Sequence, residues 1–306
     1  YAVKTNLFLG VDTLINTAKK CGIKEKLKNV VSLALGTSEL NMLDFANAYT
    51  TFASLGYKKD LYFIEKILDK EGNVIYSHEP TNNLVLNPNY VYILNELLTS
   101  TTNSSFIDYN YPTALNIAEK LNQKYAFKTG TTDTDYWAVG YNKNILMMTW
   151  AGYDDNSKEL GNVVNHNVIW RTIMQTIHEN LNLPTGSYEQ PSGIVEAAVC
   201  SKSGLLPVEG LCDQDPEGNC VITEYFTEDT VPTEYCTTHV NVSICNESGD
   251  IATSGCPSVT TKIMRKKSSA DKLGEDKDGS EFKTWDADIS ITDTELSKLC
   301  TIHSAT

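Results

Sequence analysis

Residues 126–155 read AFKTGTTDTDYWAVGYNKNILMMTWAGYDD and decide the fold of this 306-residue chain. Three runs here favour β-strands: Tyr125–Thr131, Trp137–Tyr141 and Ile145–Tyr153. Only a few polar residues separate them, and parallel strands need a crossover of about a dozen residues or more. The stretch therefore predicts three neighbouring antiparallel strands.

Helical patterns lie on both sides of these strands. Apolar residues recur at helical spacing over Asp12–Cys21, and Asn41 is a capping residue before the pattern at Met42–Ser54. Asn87-Pro88 starts another helix, and Val163–Leu181 follows the strands. A hairpin is predicted between Tyr62 and Tyr76. These elements predict an α/β fold of the α+β type, an antiparallel sheet flanked by helices.

Charge and hydropathy exclude two classes of protein. The formal net charge is -14 at pH 7, with 39 acidic against 25 basic residues. A nucleic-acid partner needs a basic face, so none is expected. No run of about 18 apolar residues is present to span a bilayer. Because Tyr1 leads straight into a helical pattern, we interpret the start as a cut inside a domain.

Cysteine usage marks a compositional boundary near Pro184. Cys21 alone lies in the first two thirds of the chain, in a helix, where it is predicted to be a small apolar filler. The others fall in the last third: Cys200, Cys212, Cys220, Cys236, Cys245, Cys256 and Cys300. Clustered cysteines indicate disulfides outside the cytoplasm and metal ligands inside it.

The composition predicts three regions. Residues 1–183 form the main domain, residues 184–260 a cysteine-containing extension, and residues 261–306 a polar, flexible tail. The tail is predicted because a charged segment nearly free of aliphatic residues cannot offset its ordering entropy.

The motif that carries chemistry is Lys128-Thr129-Gly130-Thr131, at the end of the first predicted strand. A lysine ammonium beside an acyl-transfer cleft favours a substrate carboxylate and helps to move the nucleophile's proton. The threonine hydroxyls donate to the same carboxylate, and Gly130 lets a peptide lie along the strand. The alternative is that these residues are ordinary polar side chains at an exposed strand end, without a functional role.

The sequence around this motif resembles the penicillin-binding transpeptidase family. In that family Lys-Thr-Gly-Thr-Thr is followed by Asp-x-Trp, a Gly-Tyr turn and Trp-x-Gly-Tyr-Asp, which correspond here to Asp135, Trp137, Gly140-Tyr141 and residues 150–154. Residues 34–39 and the hairpin are also similar. The stretches CSKSGLLPVEGLC, VITEYF and PTEYCTTH resemble the extension that follows this domain in class A, bifunctional members.

The resemblance implies a peptidoglycan D,D-transpeptidase that cross-links stem peptides. A serine attacks the D-Ala-D-Ala bond, a second stem's amine resolves the acyl-enzyme, and β-lactams acylate the same serine. Lys128 is then the catalytic residue of this chain, and Lys128, Thr129, Gly130 and Thr131 bind substrate, with no cofactor and no metal. The resemblance also implies an N-terminal membrane helix and a glycosyltransferase domain upstream of this chain. It implies a location at the cell membrane, on its extracytoplasmic side.

The chain departs from the family pattern in three ways. No Ser-x-x-K precedes Lys128 and no Ser-x-N is present, so the nucleophile is expected outside this chain and the fragment alone is expected to be inactive. Ser269–Lys272 and Ser280–Lys283 match Ser-x-x-K, but they lie in the polar tail and are interpreted as decoys. Phe127 stands where members commonly carry a small residue.

Several alternatives stay open. A β-lactamase or D,D-carboxypeptidase shares the motif but passes the acyl group to water, and a non-catalytic peptidoglycan- or β-lactam-binding relative binds without turnover. Cys236-x-x-His239 with Cys212 and Cys220 has the residue types of a zinc site, ranked below disulfides because the resemblance places the domain outside the cytoplasm. Trp137 and Trp150 are expected in the core rather than lining a substrate cleft, and Asp135 is expected to hold the turn after the motif rather than to act as an acid or base. All histidines are expected at the surface: His78, His166, His178, His239 and His303.

Overall fold

The structure is a computed structural model that describes residues 2–106, 111–118, 121, 123–155, 166–267, 274–275, 281–282, 286 and 288–303. The chain forms two compact units, Tyr1–Ser192 and Gly193–Thr306, called unit 1 and unit 2 below. The serine and the lysine of both Ser-x-x-K matches in the predicted tail, Ser269 and Lys272 and Ser280 and Lys283, lie outside the described residues. Among the described residues, no helix is both long and apolar enough to cross a bilayer.

Unit 1 interleaves helices and strands. Its helices are α1 (Ala2–Leu9), α2 (Val11–Cys21), α3 (Met42–Ala53), α4 (Pro88–Thr99), α5 (Leu115–Ala118) and α6 (His166–Leu181), with 3-10 turns at Val31–Leu35, Ser100–Thr102 and Ser104–Phe106. Its strands are β1 (Tyr57–Lys58), β2 (Lys66–Leu68), β3 (Val74–Ser77), β4 (Asn83–Leu84), β5 (Ala126–Thr131), β6 (Asp135–Tyr141) and β7 (Leu146–Gly152).

Local sequence explains the helix boundaries. The Asn41 side chain accepts hydrogen bonds from the backbone N–H groups of Leu43 and Asp44, which starts α3. The Asn87 side chain accepts from the N–H of Asn89 in the same way, and Pro88 occupies the first turn of α4. Helix α2 ends where Gly22 takes a left-handed conformation with φ 112°.

The three predicted strands form the sheet β5-β6-β7 with antiparallel neighbours. Lys128 lies opposite Val139 and Gly130 opposite Trp137, while Trp137 lies opposite Trp150 on β7. Strands β2 and β3 form the predicted hairpin. The prediction of an α/β fold of the α+β type, with an antiparallel sheet flanked by helices, is confirmed.

Helices cover both faces of this sheet. On one face, residues of β5 and β6 pack against α5 and α6, in a cluster of Ala114, Ile117, Leu121, Tyr125, Phe127, Ala138, Trp170 and Met174. On the other face, Ala126, Val139 and Tyr141 pack against α3 and α4 through Tyr49, Phe52, Ala53 and Leu98. Since strand residues alternate between faces, Lys128 and Gly130 share the second face with Ala126.

The unusual Phe127 is accommodated by the glycine opposite it. Its ring is fully buried and lies edge-on to Trp170, with 4.9 Å between ring centroids. Gly140 is its cross-strand partner, and a Cβ there would lie 2.5 Å from Trp170 Cζ2 and 2.6 Å from Phe127 Cδ2. The bulky Phe127 side chain is therefore packed on the face of the sheet opposite to Lys128.

Unit 2 consists mainly of strands. These are β8 (Ile194–Cys200), β9 (Val221–Thr227), β10 (His239–Cys245), β11 (Val259–Lys267), β12 (Gly274–Glu275), β13 (Glu281–Phe282) and β14 (Ser290–Thr292), with a 3-10 turn at Cys212–Gln214 and the short helix α7 (Asp293–Leu296). Strands β8 and β9 pair antiparallel, and β11 lies between antiparallel β10 and parallel β14.

The division between the units differs in place from the expected one. Residues 184–192 stay with unit 1, where the Tyr188 hydroxyl donates to the Ala53 carbonyl at 3.0 Å and the Asn144 side chain donates to the Pro184 carbonyl at 2.7 Å. Part of the expected flexible tail is ordered, because β11 and β14 draw their backbone partners from distant residues. The three-region division by role stays a prediction.

Candidate functional site

The Lys-Thr-Gly motif lies on a strand at the edge of its sheet. Within the described part of the chain, β5 pairs with β6 alone. Near the start of β5, the Thr101 hydroxyl donates to the Phe127 carbonyl at 2.9 Å and covers that edge. Beyond Phe127 the strand presents the motif, and a strand edge offers backbone donors and acceptors to an extended peptide.

The Lys128 side chain is exposed and turns along its own strand. Its Nζ donates to the Thr129 carbonyl at 2.6 Å. Thr129 and Gly130 are half-buried, and Thr131 is exposed. The structure therefore places Lys128, Thr129, Gly130 and Thr131 together on one accessible strand, with the ammonium available to an incoming anion.

The absence of a side chain at Gly130 is not imposed by packing. A Cβ there would lie 3.4 Å from Trp137 Cβ, which is an ordinary contact, and the backbone carries no positive φ. Gly130 follows Lys128 on the same face of the strand, so a ligand bound to the ammonium on this face would pass across Gly130.

Asp135 anchors the turn after the motif. Its carboxylate accepts from the Trp150 indole N–H at 2.8 Å, from the Thr134 hydroxyl at 2.8 Å and from the Thr132 hydroxyl at 3.2 Å. Burial acts to raise the pKa of Asp135, but these hydrogen bonds outweigh it and lower the pKa below its ordinary value. The contacts agree with the expected role of holding the turn.

The two tryptophans on the paired strands are half-buried. Trp137 and Trp150 have ring centroids 6.2 Å apart, and Trp137 also meets Phe45 of α3 at 6.0 Å, edge-on. Trp137 thus packs on α3, and its side chain also lies beside Gly130, 3.4 Å from where a Cβ on that glycine would stand. The core prediction captures its packing but not its position beside the motif.

The expectation of surface histidines is wrong for His239, which is only 2% exposed. The other four histidines are half-buried. The Tyr125 hydroxyl is hydrogen-bonded to His178, and the His78 ring stacks on Tyr62.

The described part of unit 2 holds three groups of potential metal ligands, of which Asp215, Cys220 and His239 form the smallest. The other two each contain three cysteines and one histidine, and the sequence only partly predicted them. Cys212, Cys236 and His239 come together as considered, but the fourth member is Cys200 and not Cys220. Cys245, Cys256, Cys300 and His303 form a second group, which was missed. The repeated spacing Cys-x-x-His at 236–239 and 300–303 is the signal that predicts it. All eight cysteines are free, so the expected disulfides are not formed.

Comparisons with known proteins agree with this architecture. A family model for the penicillin binding protein transpeptidase domain matches residues 2–171, and one for the penicillin-binding protein 1A C-terminal domain matches residues 190–241. Penicillin-binding protein 2D of Bacillus subtilis (strain 168) is 30% identical over 239 residues, which cover 77% of this chain and 33% of that protein. The chain spans between 26% and 33% of the length of the first curated relatives.

Two solved structures share the fold. Penicillin-binding protein 1A from Haemophilus influenzae superposes with a TM-score of 0.66 at 24% identity, over 77% of this chain and 39% of that one. The PonA1 protein from Mycobacterium tuberculosis in complex with penicillin V gives a TM-score of 0.51 at 17% identity, over 62% of this chain and 56% of that one. Since the transpeptidase model matches more than half of the residues, and the 1A C-terminal model follows it, the chain belongs to the penicillin-binding protein transpeptidase family, class A type.

Proposed function

We propose that this chain forms part of a serine-type D,D-transpeptidase that cross-links peptidoglycan stem peptides, with its nucleophile outside the residues of this chain. The observation that carries the proposal is the accessible edge of β5, which presents Lys128, Thr129, Gly130 and Thr131 on one strand. Membership of the transpeptidase family indicates the class of reaction, which is acyl transfer.

The strand supports acyl transfer in three ways. Backbone groups along its edge pair with an extended stem peptide ending in D-Ala-D-Ala. The Lys128 ammonium and the hydroxyls of Thr129 and Thr131 project to opposite faces of β5, so they are proposed to meet the terminal carboxylate at the free edge of the strand, where a charge-assisted hydrogen bond is about twice as strong as a neutral one. Gly130 keeps the approach over the strand open, because no packing contact requires a glycine there.

The proposed reaction runs in two steps. A serine hydroxyl attacks the carbonyl of the D-Ala-D-Ala bond, and the terminal D-alanine leaves with the proton on its amine. An amine of a second stem peptide then attacks the acyl-serine ester, which restores the serine hydroxyl and forms the cross-link. Lys128 helps to move the serine proton. A β-lactam acylates the same serine, and penicillin V is the ligand in the PonA1 structure.

The proposed location is the extracytoplasmic side of the cell membrane, where the stem peptides lie. By likeness to class A relatives, a membrane anchor and a glycosyltransferase domain are expected in the whole protein.

The test is labelling by a fluorescent penicillin. The 306-residue chain is compared with a longer version that includes roughly 200 upstream residues, about one domain. Only the longer version is expected to be labelled. Lys128→Ala in it should slow labelling roughly 10- to 100-fold, because a hydrogen bond from a charged group contributes about 1.5–3 kcal/mol.

Lys66→Ala in the longer version is the matched control for Lys128→Ala, since Lys66 is an exposed lysine in the separate hairpin β2–β3. It should be labelled at the rate of the parent. Equal labelling rates for the two variants would contradict the role of Lys128. A folded longer version that is not labelled would favour a non-catalytic binding relative. With a stem peptide and an acceptor amine, hydrolysis without cross-linking would favour a carboxypeptidase or β-lactamase.

A further inference from the structure

We propose that unit 2 holds two structural zinc ions, each bound by three cysteine thiolates and one histidine imidazole. Neither the transpeptidase reaction nor the family match assigns these groups. The first site consists of Cys200, Cys212, Cys236 and His239, and the second of Cys245, Cys256, Cys300 and His303. These two sets are called the first and second cysteine clusters below.

In each cluster four ligand atoms converge on one point. All potential ligand atoms of a cluster lie within 4.8 Å of one another. In the first cluster, His239 Nδ1 lies 3.5 Å from Cys200 Sγ and 3.4 Å from Cys236 Sγ. In the second, His303 Nδ1 lies 3.4 Å from both Cys245 Sγ and Cys300 Sγ.

These distances match a tetrahedral zinc site. Zn–S bonds of about 2.3 Å and Zn–N bonds of about 2.05 Å at tetrahedral angles separate sulfur from nitrogen by about 3.6 Å. Three sulfurs and one nitrogen are also the ligand set that selects zinc among the common divalent ions. Because the protein supplies all four ligands, the site is closed and structural, with no position left for substrate.

Disulfides fit the clusters poorly. Each cluster contains three cysteines, so one disulfide would leave a third, buried or partly buried thiol beside an imidazole. A disulfide also requires about 2.05 Å between two sulfurs, and all eight cysteines are free. Four converging ligands in each cluster account for every one of these cysteines and both histidines.

The two clusters are built by the same backbone geometry. Cys200 ends β8 and Cys245 ends β10, and each is followed by a Ser-Gly turn whose glycine N–H donates to the cysteine carbonyl at 2.8 Å. These turn glycines, Gly204 and Gly249, have φ values of 73° and 76°.

The later ligands repeat as well. The third cysteine of each cluster begins Cys-Thr-x-His, and its N–H donates at 2.8 Å to a carbonyl six residues after the first cysteine, Leu206 or Ile251. Parallel bridges join Leu206 to Tyr235 and Ile251 to Leu299 in the same way. Two separate stretches of sequence thus build the same arrangement of four potential ligands. A chance grouping of thiols does not explain this repetition.

A carboxylate orients each histidine for metal binding. His239 Nε2 lies 2.7 Å from Asp215 Oδ2, and that buried carboxylate also accepts two hydrogen bonds from Arg265, at 2.6 and 2.5 Å. An ionised carboxylate only accepts, so Nε2 carries the proton and the Nδ1 lone pair points at the thiols. His303 Nε2 lies 3.2 Å from Glu247 Oε2, which repeats the arrangement.

Metal binding has a clear structural role here. The apolar cluster around the first site consists of Cys200, Cys212, Cys220 and Cys236 with Val208 and Val221 packed against them. A core this small needs a further cross-link to be stable, and a bound zinc ion supplies one. On binding, each of the three thiols forms a Zn–S bond and releases its proton to solvent, while the neutral imidazole donates a lone pair. No electron is transferred.

The direct test is the zinc content of the folded 306-residue chain, purified without a metal-binding tag and under reducing conditions. We expect two zinc ions per chain. Cys236→Ser and Cys300→Ser should each reduce the content to one. Cys220→Ser is the control, because Cys220 is a buried cysteine that packs beside the first cluster, near Asp215 and His239, without being one of its four proposed ligands, and it should keep two.

A second pair of variants separates ligation from folding. His303→Cys retains a zinc ligand and should keep two ions, whereas His303→Ala should keep one. Cobalt-loaded protein should show the intense visible bands of tetrahedral thiolate coordination, halved by Cys300→Ser and unchanged by Cys220→Ser. Folded protein without stoichiometric metal, or mass spectrometry showing these cysteines in disulfides, would overturn the proposal.

Discussion

Unit 1 and unit 2 are stabilised by different means, although both belong to one chain. Unit 1 buries large side chains between a three-stranded sheet and helices on both faces, with Trp170, Tyr141 and Phe127 almost completely excluded from water. Among the described residues, unit 2 has two smaller clusters, one around Val242, Met264 and Ile291 and one built mainly from cysteines, and it also buries a histidine and the aspartate of an ion pair. Packing of large side chains stabilises unit 1, and the proposed metal ligation stabilises unit 2.

Each unit is therefore destabilised by a different kind of change. A packed core responds to loss of volume, because neighbouring atoms lose their contacts and relax only partly. A unit tied by metal ligands responds to the removal of one ion. The predictions below perturb one unit and use the other as an internal reference.

The largest effect is expected from metal removal. A strong zinc chelator should abolish most of the hydrogen-exchange protection of residues 193–267 while residues 2–106 keep theirs. Structural zinc contributes roughly 10–16 kcal/mol in small domains at pH 7, comparable to the whole stability of a domain. The control is chelator already saturated with zinc. Full protection in unit 2 after the metal has been shown to leave would remove the contrast between the units.

The next largest effect is expected from Trp170→Ala in unit 1. Trp170 is 0% exposed and packs on Phe127 and Tyr125, so its loss should lower the free energy of unfolding of unit 1 by about 3–5 kcal/mol. The control on the same helix is Ile169→Ala, which truncates a side chain that is 42% exposed. Denaturant unfolding measures both variants, and zinc content should not change. Equal effects of the two substitutions would contradict the packing account.

A smaller effect is expected from Asp135→Asn in the turn after the motif. The lowered pKa of Asp135 means that its ionised form stabilises the fold above its ordinary pKa of about 3.9, and that this contribution is lost as pH falls through the lowered value. We expect a loss of about 1 kcal/mol at pH 7, reduced by solvent screening in a partly exposed turn. The difference from the parent chain should shrink on acidification below pH 4.

The matched control for this substitution is Asp133→Asn, an exposed aspartate in the same turn. Its stability should stay close to that of the parent at every pH. Unfolding curves between pH 3 and pH 7 measure both. A pH-independent difference for Asp135→Asn would show that the ionised carboxylate is not the stabilising species.

The smallest effect on stability is expected from Gly130→Ala, which separates folding from function. The added Cβ would make only ordinary contact with Trp137, so stability should change by less than about 1 kcal/mol. Penicillin labelling of the longer version should nevertheless slow, because the methyl group stands beside Lys128 on the proposed binding face. Unchanged labelling would mean that ligand does not pass over Gly130.

Much of unit 1 could be predicted from the sequence because its signals are local. Short polar loops fixed β5, β6 and β7 as antiparallel neighbours, and capping residues such as Asn41 and Asn87 marked helix starts. The Lys-Thr-Gly motif was recognisable from its residue types and the aromatic residues after it. Its position on an accessible edge, however, required the strand order.

Unit 2 was less predictable because its partners are distant in the chain. Arg265 lies in a segment whose composition indicated a flexible tail, yet it pairs with Asp215, 50 residues away. The sequence suggested Cys220 as the partner of Cys212, Cys236 and His239, whereas the fold brings Cys200 to these three residues. The preference for disulfides rested on the expected compartment, which says nothing about three thiols meeting one imidazole.

The most direct test of the functional account is a structure of the longer version acylated by a penicillin. We expect the β-lactam to lie along the free edge of β5, with its carboxylate bound by Thr129, Thr131 or Lys128 and its body passing over Gly130. An adduct that occupies another part of unit 1 and leaves β5 without contact would contradict the assignment of this strand as the substrate-binding wall.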